Sequence, residues 1–86
     1  MTFYLGILDG SGDVWGVRIP DFSGVHGGGA TPEAAIVDAI SVMHEVAAYL
    51  RESGEALPVP RALSEVLGEA ESGEVPVVLP LAVASS

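Results

Sequence analysis

Residues 3–8 and 14–19 are two short apolar runs rich in β-branched and aromatic side chains, separated by Asp9-Gly10-Ser11-Gly12-Asp13. That pattern predicts a β-hairpin with a five-residue loop. Pairing Leu8 with Val14 sets Ile7 against Trp15, Leu5 against Val17 and Phe3 against Ile19. This wholly apolar face is the expected core. The other face pairs Gly6 with Gly16 and Tyr4 with Arg18. Two facing glycines suggest close approach by another backbone or ring, so Tyr4, Gly6, Gly16 and Arg18 become candidates for a contact surface.

Pro20 and Asp21 break the second strand, and residues 22–26 can return as a third. From Ala30 the period changes. Thr31 suits an N-cap, Pro32 the first helical position, and Glu33 the positive end of the helix dipole. Ile36, Ile40, Met43, Ala47 and Leu50 recur at helical spacing, and Ala35, Ala39, Val42, Val46 and Tyr49 widen the stripe to about half the circumference. Gly54 is the expected stop. Residues 62–68 read as a short second helix, and residues 74–79 as a last strand whose prolines suggest a sheet edge or an interrupted strand. The predicted order is β-β-β-α-α-β, an α+β fold with one sheet and a long helix on one face. The last strand is expected beside the first and parallel to it, reached by a right-handed crossover.

Charge changes the picture more than length does. Eighty-six residues predict one domain, residues 1–86, and twelve acids against three bases give a net charge of −9. That field repels phosphate backbones, disfavours direct nucleic-acid binding and attracts a basic protein, or else it only keeps a small apolar domain soluble. With no cysteine, disulfides, thiolate nucleophiles and cysteine-bound zinc are excluded. The first ten residues lack the basic region of a signal peptide, and the run VPVVLPLAVA is too short to span a bilayer. A cytoplasmic location is expected.

Candidate chemistry is sparse. GGGATPEAA, at residues 27–35, has neither the Lys-Ser/Thr of a phosphate loop nor a GxGxxG spacing. The three glycines are therefore read as a corner between the third strand and the helix, with positive φ available at no steric cost. His26 and His44 stand alone, without the convergent ligands that a metal needs. Asp9, Asp13 and Asp21 lie at strand ends, where carboxylates could hold Mg²⁺, although aspartates in tight turns more often cap their own backbone. No catalytic residue, cofactor or metal site is assigned.

The run VWGVRIPDFSGVHGGGATPEAAIVDA resembles the HicB-like antitoxin domain. Trp15, Pro20, Asp21, Phe22, Gly24, Gly29, Thr31, Glu33 and Ala35 stand where that pattern wants them, and GEALPVP at residues 54–60 is similar to the family's G-x-x-(I/L)-P-x-P signature. Val25 and Ala34 depart from it, in places where the family commonly has cysteine and often a second acid. The resemblance spans roughly residues 3–80 and implies a partial RNase H-like fold. It also implies a non-enzymatic antitoxin that neutralises a small basic HicA-type toxin, an mRNA-cleaving ribonuclease. Many such proteins continue into a DNA-binding domain. This sequence ends directly after the expected last strand, so autorepression through its own DNA-binding domain is not expected. The alternative is an orphan homo-oligomer with a structural or ligand-binding role, and a metal-dependent nuclease is a distant third.

Self-association is expected as well. The wide helical stripe and the apolar terminus predict a homodimer or a tetramer of dimers, with Val42, Val46 and Tyr49 on the helix flank and Val77 and Leu79 within the 77–83 run as its buried contacts.

Overall fold

The structure is a computed structural model, and it describes residues 2–82. Val83, the end of the expected dimer contact, lies outside the described residues. The elements are β1 (Thr2–Ser11), β2 (Val14–Arg18), β3 (His26–Gly29), α1 (Pro32–Glu52), α2 (Leu63–Glu69) and β4 (Val75–Leu81). One four-stranded sheet has the order β3-β2-β1-β4, and every neighbouring pair is antiparallel. The α+β architecture and the element order agree with the sequence reading.

The hairpin does not have the expected register. Ser11 pairs with Val14 and Leu8 with Val17, leaving a two-residue turn at Gly12-Asp13. Gly12 takes φ +59°, and the Trp15 indole N–H donates to its carbonyl at 2.9 Å. Gly10 lets the strands close, since a Cβ there would lie 2.3 Å from the Val14 carbonyl oxygen. Turn chemistry thus absorbed three residues that sequence assigned to a loop. An odd slip exchanges the faces of one strand. Trp15 and Val17 keep the core side, but their partners on β1 are Gly10 and Leu8, which share a face with Tyr4 and Gly6, and Phe3, Leu5 and Ile7 turn away.

The third strand also moved. Residues 19–25 form a compact turn in which Ile19 N–H donates to Val25, Phe22 N–H to Ile19 and Val25 N–H to Phe22, with Gly24 at φ +80°. The glycine triplet is then β3 itself, paired with Gly16 and its neighbours. None of the three has positive φ. Gly27 and Gly29 are needed for proximity: a Cβ on Gly27 would sit 2.3 Å from the Ala39 nitrogen, and one on Gly29 2.7 Å from the Ala34 Cβ. The α1 side of this contact is small too, its buried residues being Ala35, Ala39, Met43 and Ala47. Helix backbone rests almost directly on strand backbone.

α1 begins and ends as its caps require. Thr31 Oγ1 accepts the Ala34 N–H at 3.1 Å, Pro32 opens the first turn, and Gly54 at φ +74° follows Ser53. β4 runs antiparallel to β1, contrary to the parallel arrangement expected. The link after α1 passes Tyr4, whose hydroxyl donates to the Pro58 carbonyl at 2.7 Å. α2 then carries the chain from Arg61, held at Asp21, to Glu69, held at Arg18. β4 therefore starts beside Leu8 and descends to Thr2. The second helix adds a traverse that a single crossover lacks.

The core lies between the sheet and α1: Tyr4, Val17, Ile19, Phe22, Val25, Ala35, Ala39, Met43, Ala47, Leu79 and Leu81 form one cluster. Tyr4 and Phe22 meet edge to face with centroids 4.8 Å apart. Ile7 and Val66 are buried outside that cluster, on the side where α2 packs on β1.

Candidate interaction surface

Fold and register decide which of the expected contact residues can reach a partner. Tyr4 and Gly6 are in the core, so the surface proposed for them from sequence does not exist. Tyr4 fills the space under α1 and its hydroxyl is pushed up in pKa, mainly by burial and secondarily by the nearby Asp21. Gly6 is kept small by Leu79 and Val17, whose side chains would stand 2.8 Å from a Cβ there. Leu79 is likewise fully buried, and Val77 packs against the core. Val42 and Val46 are half-buried against that core, while Tyr49 is 65% exposed. Gly16 faces away from α1, beside exposed Arg18.

Two arginines knit the α2 segment to the sheet. Arg18 forks onto Glu74, at 2.5 and 2.9 Å, and reaches the Glu69 carbonyl. Arg61 binds Asp21 through its backbone N–H at 3.2 Å and its Nε at 2.7 Å, and it also pairs with Glu69. The Arg18 hydrogen bond, helped by the Glu71 N–H, lowers the Glu74 pKa to about 2. Bidentate pairing of an arginine with a carboxylate, here one whose side chain is only 9% exposed, is the stronger form of ion pair. Asp21, a motif residue, is therefore a structural anchor: its side chain is 3% exposed and its oxygens are taken.

The nuclease option loses its geometry. Asp9 and Asp13 lie at the hairpin end of the sheet, whereas Asp21 lies at the far end of β2, bound to Arg61. Among the described residues, no group of three or more His, Asp or Glu side chains converges as metal ligands do. His26 is exposed on β3, on the rim of a shallow cavity of about 250 Å³ lined also by Arg18, Phe22 and Glu69. His44 departs from the solvated reading. Its Nε2 accepts the Ala82 N–H at 3.1 Å, so in the neutral ring Nδ1 carries the proton and donates to the Ile40 carbonyl at 2.8 Å. No spacing rule could have found that contact, which joins positions 38 residues apart.

Exposed apolar side chains are spread over the molecule, from Val59 in the link and Val37 and Tyr49 on α1 to the sheet face away from α1. Phe3 is 55% exposed and Val78 58%, with Leu63 and Leu67 of α2 also open. No described helix is long and apolar enough to cross a membrane.

No family model matches the sequence, and no curated protein sequence matches it significantly. Solved structures do match. The chain is similar to the antitoxin HicB of Burkholderia pseudomallei, with 26% identity and a TM-score of 0.81, covering 94% of this chain and 64% of that one. It is similar to the N-terminal domain of the same antitoxin, with 23% identity, a TM-score of 0.79, and coverage of 95% of this chain and all of that one. A chain of the HicA3 and HicB3 toxin-antitoxin complex matches with 17% identity and a TM-score of 0.69, over 95% of this chain and all of that one.

Proposed function

From its fold as a HicB-like domain, we propose that this chain is an antitoxin-type binding protein that neutralises a small basic HicA-type, mRNA-cleaving toxin. The likeness to the HicB antitoxin along nearly the whole chain carries the reading. A fold alone does not transfer function, and two local observations favour a binding role over catalysis. The acidic side chains are dispersed or tied to arginines, and the sheet, both helices and the link carry exposed apolar side chains.

In this proposal the protein acts in the cytoplasm, without a cofactor and without touching nucleic acid itself. Its net charge of −9 would speed encounter with a basic toxin, while buried apolar contacts would supply affinity. A symmetric homodimer is part of the proposal, its contact centred on Tyr49 and the outer sides of Val42 and Val46. Light scattering reads that part, and a mass of 8.8 kDa at micromolar concentration removes it.

The decisive experiment is co-expression with a HicA-type toxin, for which a short basic reading frame beside the gene for this chain is the first candidate. The expected outcome is a co-purifying complex and relief of toxin-induced growth arrest. A toxin that arrests growth equally with and without this chain ends the antitoxin reading.

A further inference from the structure

The two edges of the sheet are closed to other strands by different means, and one of them stays open to a particular chemistry. In an antiparallel ladder each residue's N–H and C=O point to the same side, and sides alternate along the strand. The hairpin fixes this alternation, because Ser11 and Val14 flank a two-residue turn and must be a hydrogen-bonded pair. Following it across the sheet, β3 turns His26 and Gly28 outward, and β4 turns Pro76, Val78 and Pro80 outward. Gly28 agrees, since its N–H leaves the sheet for Asp38 Oδ2 at 2.9 Å. That contact caps the β3 edge with a helix side chain.

The β4 edge is different. Its outward carbonyls at Pro76, Val78 and Pro80 have only one N–H among them, that of Val78, because proline has no amide proton. A second copy pairing about Val78 would set Pro76 opposite Pro80, keep the two Val78 hydrogen bonds and leave the flanking carbonyls without donors. Beside this edge, on the face away from α1, Phe3 pairs with Pro80 and Leu5 with Val78, so apolar surface adjoins the row of acceptors.

The geometry points to the β4 edge and its Phe3–Leu5–Val78–Pro80 strip as the docking surface for the basic protein partner. The partner would lay apolar side chains on the strip and donate N–H groups, from arginine, lysine or backbone, to the acceptor-rich edge. This rests on the antitoxin reading and adds where the partner sits.

Val78→Lys, Val78→Glu and, on the outer face of α1, Val37→Lys are compared for binding to the HicA-type toxin of the co-expression experiment, with circular dichroism to check folding. Val78→Lys should weaken the complex by about tenfold or more, and by more than Val78→Glu, with Val37→Lys near wild type. Binding unchanged by both Val78 variants overturns the surface while leaving the antitoxin reading intact. If the toxin does not bind the wild-type chain, that reading fails, and the surface is judged on a defined probe instead. Amide shifts are then followed on titration with the hexapeptide Leu-Arg-Leu-Arg-Leu-Arg and with its Leu-Glu analogue. Shifts confined to residues 3–5 and 76–80, caused by the basic peptide only, support the surface. Shifts elsewhere, none, or equal shifts from both peptides overturn it.

Discussion

At Gly27 the side chain is absent because α1 occupies its place. A methyl group there would meet the Ala39 backbone at 2.3 Å, which neither element can yield without separating. Gly27→Ala should therefore cost about 2 kcal/mol or more in chemical denaturation. Gly28→Ala, on the opposite face with 3.4 Å to the Trp15 carbonyl oxygen, should cost much less. Glu74 gives a pH prediction. Its carboxylate is held by Arg18 first and by the Glu71 N–H second, with a folded pKa of about 2 against an ordinary 4.5. A depressed acid stabilises the fold fully above the unfolded value and loses that contribution as pH falls towards the folded one. The stability difference between wild type and Glu74→Gln should thus be greatest above pH 4.5 and vanish towards pH 2, as read from urea melts across that range. Equal differences at both ends would contradict the assignment.

Between elements, the question is what holds α2. Seven residues are too few for an independent helix. Its N-cap, Ala62, offers no side-chain bond, so the segment depends on Val66 packing and on the Arg61–Asp21 and Arg18–Glu69 ties. Asp21→Ala should speed amide exchange across Leu63–Glu69 and leave α1 protection unchanged, a contrast that hydrogen exchange resolves residue by residue. α1 carries its own signals. Thr31→Ala removes the acceptor for the Ala34 N–H and should cost about 1 kcal/mol. These contrasts also sort the family-like motif. Thr31 and Gly29 serve the α1 entrance, Asp21 anchors α2, Gly24 makes a turn, and Trp15 closes the hairpin.

For the molecule as a whole, a charge of −9 on 86 residues should dominate the encounter with a basic partner. The association rate should fall on the order of tenfold between low and high salt, while the dissociation rate stays nearly constant. Stopped-flow binding across ionic strengths measures both. Much of this architecture was legible beforehand. Cap residues and a 3.6-residue period are local quantities, so α1 and the element order could be read from sequence, and the prolines narrowed the last strand to a sheet edge or an interrupted strand. The HicB-like pattern rested on the same short-range spacing. Register, face and strand direction are not local. Whether Tyr4 or Phe3 faces the helix depended on a two-residue turn, and both faces of β1 are apolar enough to be buried. The direction of β4 depended on α2 making a full return, which ion pairs between residues 40 and 56 positions apart secure. The glycines at 27–29 looked alike as letters, and only the packing of α1 on β3 showed that Gly27 and Gly29 grant closeness and not a turn. The sequence by itself determined the elements and the charge. Tertiary structure decided which surface remains open, because exposure is set by what each side chain packs against.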